Sequence, residues 1–137
     1  MQGPGDRPAL KAGCFLFLFS LCGCAAAQLD VIRVGPAFVP RRESEVEVFS
    51  SRSETRRQWG GIGIIHGKHI PASSEKMMES QRRKARAAAA KLGADGVIIV
   101  FDAVSPGPDL GTYHEPEVYL SALAIKYAAT ASTPIAK

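Results

Sequence analysis

The sequence predicts a small α+β domain: a mixed sheet of about four strands with one alanine-rich helix on one face, in the order ββαββ. Three observations carry that expectation. Ser73 to Leu92 holds apolar and small residues at spacings of three and four, which is one helical stripe. Gly93 follows at once as a helix stop. Val97 to Phe101 is then apolar on both faces, the pattern of an inner strand.

The helix has clear limits. Pro71 cannot sit in a helix interior. Ser73 or Ser74 offers a hydroxyl to the free N–H groups of the first turn. Glu75 and Glu79 lie near the positive end of the dipole and Lys91 near the negative end. The stripe runs through Met78, Ala85, Ala88 and Leu92, with Met77 and Ala89 beside it and Gln81 as a polar interruption. Arg82, Arg83 and Arg86 are expected on the opposite, solvated side, with Glu79 paired to Arg82 or Arg83.

Ahead of the helix, Leu29 to Val34 has strand character and is either a tether or an edge strand. Glu45 to Phe49 alternates, so Val46 and Val48 are expected to face the core and Glu45 and Glu47 the water. Trp59 to His66 is a glycine-rich strand with Ile62 and Ile64 on one face, its glycines allowing a close helix or marking a bulge. Behind the helix, the prolines of Ser105 to Asp109 make a turn. Glu117 to Tyr127 is a long strand, with Val118, Leu120, Ala122 and Ala124 on one side and Tyr119, Leu123, Ile125 and Tyr127 on the other. The tail from 128 to 137 is small and polar and is expected to fray. One helix covers one face, so the other needs a cover of its own: the N-terminal segment, a partner protein or a second copy.

A chain of 137 residues suggests one domain, at 45–127, behind a tether at 24–44. All three cysteines, Cys14, Cys22 and Cys24, fall near the start, which excludes a disulfide framework and a cysteine metal site in the domain. The formal net charge is +4, and removal of Met1 to Gly23, with Arg7, Lys11 and Asp6, lowers it by one.

That front segment carries the clearest functional signal. Arg7 and Lys11 precede an apolar run from Ala12 to Cys22, too short to span a bilayer, which is the pattern of a secretory signal peptide over residues 1–23. The run ends in Leu21-Cys22-Gly23-Cys24, which resembles the bacterial lipobox. The resemblance implies cleavage after Gly23 and a diacylglyceryl group on Cys24. Two or three acyl chains anchor firmly where one is marginal. Ala25, rather than Asp, after the lipidated cysteine implies the outer membrane, periplasmic side, in a two-membrane cell.

Other motifs are weaker. Gly63 to His69 is not a phosphate loop: position 62 is Ile and position 69 is His where Gly and Ser or Thr are needed. A dinucleotide fingerprint starting at Gly61 would need Gly at position 66, which is His. There is no GxSxG and no HExxH, so catalysis is not expected. His66, His69 and His114, with Glu115 beside the last, are the candidate ligands for Zn²⁺ or Ni²⁺, giving a histidine-based metal module as the alternative function. Arg82, Arg83 and Arg86 are candidate contacts to lipid phosphates or peptidoglycan carboxylates. Nucleic acid is excluded as a partner, since export is expected and no stacking aromatics accompany the arginines.

The stretches Trp59 to Ile64, Lys91-Leu92-Gly93-Ala94-Asp95-Gly96-Val97-Ile98 and Tyr119 to Tyr127 together resemble the YbjQ-like bacterial domains. They are also similar to the outer-membrane sensor lipoprotein of the Rcs envelope-stress phosphorelay. The resemblance implies the same fold, and an envelope partner or a homo-oligomer as the cover of the open face. The Rcs sensor domain has disulfides that this chain has no cysteines to make. The reading from sequence is therefore an envelope lipoprotein acting as a sensor, adaptor or assembly factor.

Overall fold

The computed structural model describes residues 28–108, 111 and 113–128. Gly23, Cys24, the whole of 1–23 and the tail beyond Ala128 lie outside these residues. The strands are β1 (Asp30–Arg33), β2 (Glu47–Phe49), β3 (Trp59–His66), β4 (Ile70–Pro71), β5 (Gly96–Ala103) and β6 (Glu117–Tyr127), with one helix, α1 (Glu75–Lys91). They form one mixed sheet in the order β1-β3-β6-β5-β2, with β4 added to β6. The α+β class with a single helix stands. The strand number is corrected from about four to six, because β1 is a full strand on β3 and the residues before the helix pair briefly with β6.

The long strand β6 is the spine. It runs antiparallel to β3 and to β5, so those two strands are parallel to each other across it, joined by α1. Its alternation holds: Leu120, Ala122 and Ala124 face the helix, while Leu123, Ile125 and Tyr127 face the other way.

The helix ends as its sequence requires. Gly93 has φ +79°, its N–H donates to Ala90 O at 3.0 Å, and the Ala94 N–H donates to Ala89 O at 3.0 Å. That is a Schellman stop. At the other end Ser74 is the N-cap residue, but its side chain makes no capping bond. The Ser73 hydroxyl instead donates to Glu115 at 2.6 Å.

The buried helical residues are Gln81, Ala85, Ala89 and Ala90. The expected stripe is corrected at two positions, since Met77 is exposed and Ala88 is half-buried, while Gln81 lies within the stripe as its polar member. Gln81 belongs there because its Nε2 donates to Lys68 O at 3.0 Å in the turn between β3 and β4. The alanines bring the helix close enough for Leu92 to sit over Gly63, where a Cβ would lie 2.4 Å from Leu92 Cδ1.

Two strand readings are also corrected. The register of β3 on β6 shifts between Gly61 and Gly63. This bulge turns Ile62 and Ile65 together toward the helix and sends Ile64 to the other face, so Ile62 and Ile64 do not share one. In the 45–49 segment, Glu43–Glu45 is a 3₁₀ turn and only Glu47–Phe49 pairs with β5. Val46 is 1% exposed and belongs to the core, whereas Val48, on the outermost strand, is 47% exposed.

The face away from the helix is partly covered by the chain itself. Ile98, Ile125 and Tyr127 are buried there among Phe49, Trp59 and Leu123. The loop ahead of β3 holds Trp59 by an Nε1–H bond to Thr55 Oγ1 at 2.8 Å, and Arg57 lies over the Tyr127 ring at 5.0 Å.

Candidate functional site

Of the two readings open for Leu29 to Val34, the edge strand is the one formed. β1 pairs with β3 from Asp30↔His66 to Arg33↔Gly63, and nothing described pairs with its outer edge. Its odd residues share the face of Ile65, beside the C-terminal half of α1. A groove of about 560 Å³ lies between the two elements. Leu29, Val31, Ala87, Ala88 and Leu92 supply its apolar surface, and Val31 is 43% exposed. Arg33, Lys84 and Lys91 stand around it, with Asp30 as the single carboxylate. The small side chains at 87 and 88 create the depression, and the 3.6-residue period places Lys84 and Lys91 on the same side as those alanines.

The three arginines singled out on the helix do different things. Arg82 lies over the Phe101 ring at 5.2 Å and pairs with Glu79 at 3.5 Å, as expected for that ion pair. Arg83 is exposed. Arg86 is a correction to the solvated-face reading: its Nε donates to Val46 O at 3.0 Å and its Nη2 to Ser44 O at 3.4 Å. It ties the turn before β2 to the helix.

The histidines are not brought together. His66 lies on β3 opposite Asp30 and Ser121. His69 Nδ1 is 3.5 Å from Glu117 Oε2, and its ring centroid is 5.8 Å from that of Tyr119. His114 is exposed in the loop before β6. Among the described residues no three His, Cys, Asp or Glu side chains are grouped to hold a metal ion.

Asp95, between α1 and β5, has contacts that no motif in the sequence announces. Asp95 is 2% exposed and Lys126 9%. Asp95 Oδ1 accepts from Lys126 Nζ at 3.0 Å and from Arg41 Nη1, and Oδ2 accepts the Tyr127 N–H at 2.9 Å. Lys126 Nζ also donates to Gly93 O at 2.9 Å and lies 5.1 Å from the Phe38 ring centre. A charged residue at position 126 of an otherwise apolar strand end was the available signal. The cluster fastens the segment 38–41, the helix stop and the end of β6 to one carboxylate. Beside it, the Tyr127 hydroxyl donates to Glu47 at 2.7 Å. Burial, then the bond to Glu47, pushes that phenol up to about 12.

No described helix is long and apolar enough to cross a membrane. The class the geometry defines is a single-helix α+β domain built on a mixed six-strand sheet. No family model matches the chain, and no curated protein matches it. The crystal structure of the Francisella virulence factor FvfA, in its orthorhombic form, is similar: 19% identity over 71% of this chain and 95% of that one, with a TM-score of 0.51. At that identity the likeness shows the fold alone.

Proposed function

We propose that this chain is a bacterial envelope lipoprotein, anchored through acyl groups on Cys24, whose folded domain is an interaction module: a sensor, adaptor or assembly factor. The observation that carries the reading is the run Leu21-Cys22-Gly23-Cys24 at the end of a short apolar segment, only a few residues before the sheet begins. The resemblance of the sequence layout to the YbjQ-like domains and the Rcs sensor lipoprotein supports the same reading. Two surfaces suit a protein partner or a second copy: the free edge of β1, and the shallow patch of Ile64, Val100 and Leu123 on the face away from the helix. In a two-membrane cell, Ala25 points to the outer membrane, periplasmic side.

The deciding experiment is the intact mass of the membrane-extracted protein and of Cys24→Ala. A mature chain beginning at Cys24 with acyl mass, absent from the variant, is the expected result. An unmodified chain beginning after Ala27 would overturn the anchor and leave an exported domain without a lipid.

A further inference from the structure

We infer that the groove between β1 and α1 is a seat for anionic phospholipid headgroups of the membrane that holds Cys24. This rests on the anchoring proposed above. Chain length is the first argument. Gln28 lines the groove and stands four positions after Cys24. Four residues reach at most about 14 Å when fully extended. An acylated Cys24 therefore keeps this end of the domain next to the headgroup layer, whatever path the four residues take.

Charge is the second argument. Arg33, Lys84 and Lys91 surround the groove against the one carboxylate of Asp30, and the exposed Arg83 stands one turn before Ala87. A guanidinium forks onto phosphate oxygens, and lysines add point charges. The helix presents its negative end here, so its backbone does not attract an anion. The attraction comes from side chains alone, which makes it removable by substitution. The apolar surface of Leu29, Val31, Ala87, Ala88 and Leu92 favours an amphiphile over a free phosphate. It offers contact to the glycerol end of the acyl chains while the rim holds the phosphate.

The test uses the full chain extracted from membranes and reconstituted into vesicles. One set is phosphatidylcholine alone, and the other is phosphatidylcholine mixed with phosphatidylglycerol. The acetylation rate of each lysine is read by mass spectrometry. The anionic lipid should slow Lys91 about fivefold, the attraction expected of one basic residue at such a surface. Lys84 should slow as well, while Lys68 and Lys76 should not change. Arg33→Gln should weaken the protection of Lys91. Equal Lys91 rates in both vesicle sets would overturn the proposal. So would protection that follows protein density and ignores lipid charge, the mark of a second copy on the groove. Intact mass of the same sample separates the two readings. An acylated chain with unprotected Lys91 overturns the groove and leaves the anchor. A chain without acyl mass overturns the anchor. Its co-sedimentation with the anionic vesicles, lost on Lys91→Glu, would then keep the groove, and failure to sediment would overturn it.

Discussion

Asp95 Oδ1 receives the Lys126 ammonium at 3.0 Å, and both groups are shielded from water. The same carboxylate holds Arg41 and the Tyr127 N–H, so the pair is not symmetric in its consequences. Removing Asp95 leaves a buried ammonium and a buried N–H short of an acceptor. Removing Lys126 leaves a carboxylate that still has two donors.

Asp95→Ala should therefore cost about 3–5 kcal/mol, the range for breaking a buried ion pair. Lys126→Met should cost less, about 2–3 kcal/mol, since the methionine keeps contact with Phe38 while the hydrogen bonds to Asp95 and to Gly93 O are both lost. Urea unfolding of the two variants checks this. Equal midpoints would show that Asp95 is not the common tie.

The helix orientation gives a second comparison. Ala89 is fully buried and Ala88 only partly so. Ala89→Arg should unfold the domain by placing an unpaired charge under the helix, a cost above about 4 kcal/mol. Ala88→Arg should be milder, because its side chain can reach the groove and water. Arg86→Ala should cost about 1–2 kcal/mol through the carbonyls of Val46 and Ser44 that it leaves. Circular dichroism melts of the three variants rank them.

Gly93 meets two constraints at once. Its φ of +79° suits only a residue without a β-carbon, and a Cβ there would lie 2.6 Å from Val39 O and from Phe38 Cβ. Gly93→Ala should lose at least ~2 kcal/mol, combining left-handed strain with overpacking. Gly107 is open to solvent, and Gly107→Ala should leave the melting temperature unchanged.

These contrasts also show why some of the fold was legible and some was not. The run from helix to stop to inner strand follows local rules, so Gly93 and Val97 to Phe101 could be read directly. So could the two faces of β6, whose eleven residues alternate without interruption. The bulge could not be placed, because Trp59 to His66 reads equally well as a regular strand. Which of Ile62 and Ile64 meets the helix depends on pairing with β6. Gln81 and Arg86 were assigned by polarity, but each satisfies a backbone carbonyl from a distant segment, and no window of sequence holds both partners. The contacts of Asp95 are hidden for the same reason: its partners lie at 41, 126 and 127. The candidate groove was half legible. Lys84 and Lys91 share a helix side, but only the β1–β3 pairing sets Val31 and Arg33 against them.

Tyr127 supplies a prediction in pH. Its hydroxyl is neutral when it donates to Glu47, and burial with that bond raises the phenol from 10.0 to about 12. The folded state thus holds this proton more tightly than the unfolded state. The stabilisation it brings is complete below about pH 10 and is lost as pH rises through about 12. Tyr127→Phe should reduce stability at neutral pH, where the bond to Glu47 is present. The difference between wild type and variant should shrink across that alkaline window. Denaturant unfolding at a series of pH values measures it, with Tyr113→Phe, at an exposed position, as the control that should leave the curve unchanged. A constant gap between wild type and Tyr127→Phe through the window would mean that ionisation of this phenol is not linked to folding.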